Sequence, residues 1–396
     1  MAESRGRLVA IDWMRGIAMV LMAVDHASDA FNAGRLAGDS AWFGAAADPT
    51  TAQFLTRWIS HLCAPTFVFL AGTAIALSFE KRLAQGAGGW ALDAHLAVRG
   101  LLLILFEAWM SLAFGIALFQ VLYAIGLALI CMTVLRRLPT YLLVGGAVFW
   151  IAGGEFVQDR LGLVPPSASG GFASLASGLI FVPTVLQTGL TTWLSTHEPF
   201  QSLLYKGPVF VIAYPLLGWL PTMMLGWAFG RVLLGRRKQG EGPPVRLLAT
   251  TGAALLVLFA IARGLQGYGD MHYPRVEGPW WQWLHVSKYP PSLTFLALEG
   301  GLMALLLAWL FRLQDRLLAA GPNHPLLVFG QTALFFYLLH IHLMVAISHG
   351  IWGSEKQGGL PATYFGAFAI LVVLYPACRW FRGYKARNSD GWARYI

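Results

Sequence analysis

The chain has 396 residues, of which 57% are hydrophobic and only 12% are charged. Soluble domains carry about 25% charged residues, so this composition excludes an ordinary soluble domain and predicts an integral membrane protein. The net charge of +9 does not indicate nucleic-acid binding, because the basic residues lie between apolar runs, where the positive-inside rule accounts for them. Cys63, Cys131 and Cys378 fall in apolar runs, and we expect buried free thiols.

Apolar runs of membrane-spanning length recur along the whole sequence. They predict an all-α polytopic membrane protein, a bundle of about ten transmembrane helices in one domain over 1–396. A weakly apolar segment at 172–194, inside the long loop 158–207, is predicted to be interfacial or re-entrant, because an eleventh span would break the charge pattern described next. The predicted spans are 8–31, 54–79, 93–115, 117–135, 140–157, 208–234, 246–263, 291–312, 325–349 and 361–381.

Basic residues are unevenly distributed between the two sides of this bundle. With ten spans, 19 of the 28 Lys and Arg residues fall on the side of the N-terminus, eight fall on the other side, and Arg15 lies within the first span. Because basic residues concentrate in cytoplasmic segments, this bias predicts that both termini are cytoplasmic.

The first span carries ionisable residues along one face. At 100° per residue, Asp12, Arg15, Met19, Met22 and His26 fall on one side of a helix, with Arg15 and His26 roughly 16 Å apart along its axis. Ionisable groups inside a membrane helix usually face a bundle interior or a wet cavity. The stripe therefore predicts a functional site.

His26 lies near the outer end of this span. Asp29 is one turn beyond it and within reach of its ring, while Asp25 points about 100° away. An imidazole held by a carboxylate is suited to general-base catalysis. The alternative is an interfacial histidine that makes one structural hydrogen bond.

Two further segments could contribute to a site in the outer half of the bundle. Pro65 lacks the N–H that would bond the carbonyl of His61, so we expect a kink beside that imidazole; a packed histidine at a structural kink is the alternative. Lys288, Tyr289 and Ser292 precede the eighth span, where a helix N-terminus and a lysine could hold an anion or polarise a carbonyl oxygen. A snorkelling lysine and a simple helix cap are the alternative.

Other polar residues within the spans have more ordinary interpretations. His340 and His342 point to different faces of the ninth span and are not a paired ligand set. No pair of histidine and glutamate residues has the spacing that is typical of zinc sites, so we expect no metal. We expect Arg or His partners for Glu107 and Glu299, and close helix contacts at Ala71-Gly72-Thr73-Ala74 and Gly300-Gly301.

Several of these segments, taken in order, resemble a known family. The Ile-Asp-x-x-Arg-Gly motif and the Arg-to-His spacing of the first span resemble acyltransferase-3 proteins. Later landmarks resemble the heparan-α-glucosaminide N-acetyltransferase group and its bacterial relatives. The segments are Leu8 to His26, Pro65 to Gly72, Tyr214 to Arg231, Ser287 to Leu293, and Phe329 to His340.

The resemblance implies a membrane-embedded O- or N-acetyltransferase that moves an acetyl or other acyl group from cytosolic acyl-CoA to an extracytoplasmic carbohydrate. It implies a bacterial inner-membrane protein with no nucleic-acid partner, and it leaves a homodimer open. In the lysosomal members an Asn occupies the position of His26 and the catalytic histidine lies in the first outer loop. Since the loop 32–53 has no histidine, the catalytic imidazole would be His26 or, less directly, His61.

The residue assignments follow from this. His26 would be the base, oriented by Asp25 or Asp29, and His61 or Lys288 could stabilise an oxyanion. Donor binding is assigned to Arg15, Asp12, Lys288, Tyr289 and Ser292. A proton-coupled transporter or flippase is the rival interpretation, because buried histidines and carboxylates also build proton relays.

Overall fold

A computed structural model describes residues 8–35, 49–86, 88–112, 117–161, 184–186, 210–353, 356–388 and 391–396. The chain is an all-α polytopic membrane protein, which confirms the predicted fold class. The helices are α1 (Val9–Phe31), α2 (Thr51–Trp58), α3 (Cys63–Ala84), α4 (Gly89–Leu112), α5 (Val121–Leu135), α6 (Thr140–Arg160), α7 (Leu216–Lys238), α8 (Val245–Leu265), α9 (Leu293–Arg312), α10 (Gln314–Ala319), α11 (Pro325–Gln331), α12 (Ala333–Trp352) and α13 (Leu360–Arg387).

Eight helical stretches in the described chain are long and apolar enough to cross a membrane. Helix α1 has the length but carries Asp12, Arg15, Asp25 and Asp29, and α5 is apolar but only 15 residues long. The number of ten spans and the cytoplasmic position of both termini therefore stay predictions. The eight stretches are α2 with α3 (Thr51–Ala84), α4, α6, α7, α8, α9, α12 and α13.

A three-stranded sheet interrupts the helical architecture. Strand β3 (Phe210–Ile212) pairs in parallel with β1 (Ala117–Phe119) and antiparallel with β2 (Thr184–Leu186). The predicted spans 117–135 and 208–234 thus begin as strands, which is a correction. The segment 172–194 contains β2, and its other residues lie outside the described part of the chain.

Two predicted spans are interrupted rather than continuous. A 3₁₀ turn, Ile59–Leu62, joins α2 to α3 just before Pro65, which confirms the expected distortion next to His61. The predicted span 325–349 is divided at Thr332, where α11 ends and α12 begins.

Helix α1 lies at the centre of the bundle. It packs against α3, α9, α11, α12 and α13, and the side chains buried on it are mostly small or flexible apolar residues such as Ala18, Met19 and Ala23. Helices α4, α6, α8 and α13 expose most of their apolar surface, as expected for helices in contact with lipid. The ionisable stripe of α1 is therefore enclosed by protein.

Glycines bring α1 and α11 into backbone contact. A Cβ atom added at Gly16 would lie 1.9 Å from the carbonyl oxygen of Leu326, and one added at Gly330 would lie 1.8 Å from that of Asp12. The predicted close contacts at Gly72 and Gly301 are also confirmed, against α7 and α8 respectively. At Gly16, Gly72 and Gly330 only glycine fits, because a Cβ atom would meet the backbone of the neighbouring helix at 1.8–2.1 Å and would separate the helices.

We predict that Gly330→Ala destabilises the protein, because its methyl group would push α11 away from α1. Overpacking of this kind costs about 1–3 kcal/mol, which thermal unfolding in detergent would register as a lower melting temperature. Gly145→Ala is the matched control, since no heavy atom lies within 4 Å of the added carbon. Equal melting temperatures for the two variants would contradict the contact.

Candidate functional site

Two cavities adjoin along the polar face of α1. Arg15 and Met19 line one of about 290 Å³, here called the Arg15 cavity. Met22 and His26 line the other, the His26 cavity, of about 470 Å³. The face of α1 that the helical period singled out thus borders open space over most of its length.

Three side chains line both cavities and lie where the cavities meet. They are Phe67 of α3, Val121 at the start of α5 and Tyr337 of α12. Phe67 and Val121 are apolar, and Tyr337 is an uncharged aromatic residue. This collar is suited to an uncharged chain and unsuited to a charged group.

The Arg15 cavity is cationic. Arg15, Arg99 and Lys385 line it, and no acidic side chain of the described residues does. Arg99 forms no ion pair or hydrogen bond with another described residue, whereas Lys385 donates to the main-chain oxygen of Ile396 at 2.7 Å. Three cationic side chains in a cavity otherwise lined largely by apolar residues fit an anionic ligand that carries an apolar arm.

Asp12 lies behind Arg15 rather than on the wall of this cavity. Its carboxylate is 3.3 Å from the Arg15 guanidinium and accepts a hydrogen bond of 3.3 Å from Gln331. Arg15 also donates to the carbonyl oxygen of Leu70 at 3.3 Å. Asp12 therefore contacts Arg15 without lining the cavity, and its predicted role in donor binding stays a prediction.

The strongest electrostatic contact of the His26 cavity is the ion pair of Asp25 with Arg57. One guanidinium nitrogen of Arg57 lies 2.8 Å from both carboxylate oxygens of Asp25, and both residues are largely buried. Arg35 adds a longer contact of 3.3 Å to the same carboxylate. Asp25 thus belongs to a buried ion pair that joins α1 to α2.

The imidazole of His26 pairs with a second imidazole. Its Nδ1 lies 2.7 Å from Nε2 of His340, and the two rings are nearly parallel, with centroids 4.9 Å apart and 18° between the planes. The Nδ1 of His340 faces the carbonyl oxygens of Tyr337 and Phe336 at 2.7 and 3.0 Å. The prediction that His340 and His342 face different sides is confirmed, because His342 packs on Trp109 instead.

The hydrogen-bond partner of His26 is therefore His340 rather than the carboxylate that the spacing predicted. Asp29 contacts Arg35 at 3.6 Å and Lys356 at 3.3 Å, and among the described residues it makes no hydrogen bond to the ring of His26. The physical reason is that nearby cations hold both Asp25 and Asp29. Both carboxylates still line the His26 cavity.

Lys288 and Tyr289 also line the His26 cavity, as predicted for an outer-half site. Lys288 is 4% exposed, its Nζ lies 5.2 Å from the centre of the Tyr289 ring, and it makes no hydrogen bond to another described side chain. The Tyr289 hydroxyl is 3.5 Å from Arg57. Lys288 thus presents a buried positive charge to the cavity.

His61 and Ser292 do not line the His26 cavity. His61 is buried with its ring 5.8 Å from that of Phe295, which fits the alternative of a packed histidine at a kink. Ser292 caps α9, where its hydroxyl accepts from the backbone N–H of Phe295 at 3.0 Å. The structure therefore places neither predicted residue at the site.

Among the residues that the structure describes, Glu107 contacts no Arg or His side chain, although we expected such a partner. Its carboxylate accepts the backbone N–H groups of Leu122 and Tyr123 at 2.8 and 3.0 Å, and so caps α5. A helix N-terminus has free N–H groups that a carboxylate satisfies well. Glu299 is buried, and one of its oxygens has no hydrogen-bond partner among the described residues.

The sequence interpretation did not assign to the site five residues that line its cavities or contact His26, namely Arg57, Arg99, Tyr337, Lys385 and His340. A signal existed for Arg57 and His340, because both are ionisable residues within predicted spans. Nothing local to the sequence indicated that they would meet Asp25 and His26, which are 32 and 314 positions away.

We predict that Arg57→Met destabilises the fold more than Arg35→Met does. Among the described residues, removing Arg57 leaves the buried Asp25 carboxylate with the longer ion-pair contact to Arg35 alone, and breaking a buried ion pair costs about 3–5 kcal/mol. Melting temperatures of the detergent-solubilised variants would measure the difference. A larger loss for Arg35→Met would contradict the assignment of Asp25–Arg57 as the main pair.

Comparison with known families identifies one match. Residues 7–263, nearly two thirds of the chain, match the family model described as heparan-alpha-glucosaminide N-acetyltransferase, catalytic. No curated protein matches the chain. The matched region includes Arg15, His26, Arg57 and Arg99, whereas Lys288 and His340 lie beyond it.

Proposed function

Because the chain belongs to the heparan-alpha-glucosaminide N-acetyltransferase catalytic family, it is a membrane acetyltransferase, and we propose that it transfers acetyl from acetyl-CoA to a carbohydrate amine or hydroxyl. The observation that carries this proposal is the pair of adjoining cavities along α1. One is lined by three cationic side chains and the other by the imidazole of His26.

The Arg15 cavity is the proposed donor site. Arg15, Arg99 and Lys385 supply positive charge for the phosphates of acetyl-CoA, since guanidinium groups bind phosphate with two parallel hydrogen bonds. The uncharged pantetheine arm would pass the collar of Phe67, Val121 and Tyr337. The rise of roughly 16 Å from Arg15 to His26 would then separate the phosphates from the reacting thioester.

The His26 cavity is the proposed site of chemistry. The acceptor nitrogen or oxygen attacks the thioester carbonyl carbon and forms the new C–N or C–O bond, while its proton passes to the imidazole of His26. The C–S bond then breaks, and the leaving sulfur takes a proton from the imidazolium to give free CoA. The charge of Lys288 faces this cavity and is positioned to stabilise the oxyanion.

The acceptor and the orientation in the membrane belong to the same proposal. The bias of basic residues supports a cytoplasmic Arg15 cavity with both termini on that side, in a bacterial inner membrane. The His26 cavity would then open toward the extracytoplasmic side. Its tyrosines Tyr214, Tyr289 and Tyr337, together with charges of both signs, suit a polar sugar with ring faces and hydroxyl groups.

We predict that Arg99→Gln weakens donor binding. Loss of one charged contact to phosphate costs about 1.5–3 kcal/mol, so KM for acetyl-CoA should rise roughly tenfold or more while kcat changes little. Release of CoA thiol from acetyl-CoA, with glucosamine as the probe acceptor, measures both constants. Arg231→Gln, on the exposed side of α7, is the control, and an equal effect of both variants would contradict the donor site.

We predict that His26→Ala strongly lowers the rate of acetyl transfer while the protein stays folded. Loss of a general base costs about 10²–10⁴-fold in rate, and the same thiol assay measures it. Thermal stabilisation by acetyl-CoA should persist in this variant, because the donor phosphates bind at the other cavity. A folded His26→Ala protein with the wild-type rate would rule out the base, and proton-driven movement of unchanged substrate would favour a transporter.

A further inference from the structure

The two histidines of the site are linked in a way that determines where their protons lie. His340 faces two backbone carbonyl oxygens through Nδ1, at 2.7 and 3.0 Å. Carbonyl oxygens only accept hydrogen bonds, so Nδ1 of His340 must carry a hydrogen. Whether the His340 ring is neutral or charged then depends on whether Nε2 also carries a hydrogen.

His340 is neutral by the chemistry of its surroundings. The residue is fully buried in a membrane helix, the ring of Phe336 packs on it at 5.0 Å, and among the described residues no carboxylate contacts it. An unpaired charge there would carry the full cost of burial. A neutral ring with hydrogen on Nδ1 has a bare Nε2, which can only accept.

The proton between the two rings therefore belongs to His26. The distance of 2.7 Å between His26 Nδ1 and His340 Nε2, with nearly coplanar rings, is an edge-to-edge hydrogen bond. Because His340 accepts, His26 donates from Nδ1. The lone pair of the neutral His26 ring is then on Nε2, which makes no hydrogen bond to any described residue.

We infer that His340 is a positioning residue that fixes the tautomer and the orientation of His26, so that Nε2 is the atom that accepts the proton of the acceptor. This rests on the proposed function, because it assigns a role within that reaction. In Ser-His-Asp sites an aspartate performs this role, whereas here the carboxylates nearest His26 are paired with arginines. When His26 becomes an imidazolium, His340 still accepts its Nδ1–H.

Ring-¹⁵N NMR of the full chain tests the tautomer without any substrate. The protein would be labelled at histidine and held in detergent micelles, and the His26 signals assigned by their loss in His26→Asn. We expect a protonated Nδ1 and an unprotonated Nε2. The reverse pattern would overturn the inference. Because no reaction is measured, a failure to find acetyl transfer would leave this result intact.

Two amide substitutions at His340 test the role in the reaction. Glutamine places its oxygen near the former Nε2 and can still accept from His26, whereas asparagine reaches only the position of Nδ1. With acetyl-CoA and glucosamine, His340→Asn should lower kcat about 10–100-fold, as loss of an orienting partner typically does, with KM for acetyl-CoA unchanged. His340→Gln should recover most of the rate.

His342→Asn is the matched control, since His342 bonds the carbonyl oxygen of Leu338 at 2.9 Å on the same helix but does not touch His26. It should keep the wild-type kcat. Equal losses in His340→Gln and His340→Asn, at equal melting temperatures, would mean that His340 only packs, and would overturn the inference.

Discussion

Helix α1 carries Asp12, Arg15, Asp25 and His26 through the middle of an apolar bundle, and each of these groups has to be paired or given access to a cavity. Arg15 contacts Asp12, Asp25 contacts Arg57, and His26 contacts His340. The partner of Asp25 lies on α2 and that of His26 lies on α12, whereas Asp12 and Arg15 pair within α1. The position of α2 and α12 around α1 is thus tied to the charges on α1.

The two cavities provide different chemical environments. Phosphate recognition, which we propose for the Arg15 cavity, needs positive charge without competing carboxylates, and the described lining of this cavity has cationic but no acidic side chains. Proton transfer needs a neutral base among balanced charges, and the His26 cavity contains acids, cations and tyrosines together. The collar between them allows one ligand to contact both environments while its charged end remains on one side.

The features that followed from local sequence were predictable, and those that needed distant contacts were not. The stripe of α1 and the glycine contacts follow from helical period and residue size. The pairing of His26 with His340 joins residues 314 positions apart, so the nearer Asp29 was the reasonable expectation. The strands are three residues long, which is too short for an alternating pattern to be recognised. We therefore assigned the apolar residues of β1 and β3 to the beginnings of transmembrane spans.

The small sheet has a consequence for the order in which the protein is made. Leu118 of β1 and Val211 of β3 both line the His26 cavity, and they pair directly across the sheet. Contacts between such distant segments form late, because a long loop must be closed first. This part of the cavity wall is therefore completed only after Val211 has been synthesised, so a nascent chain already contains α1 to α6 before this part of the His26 cavity can form.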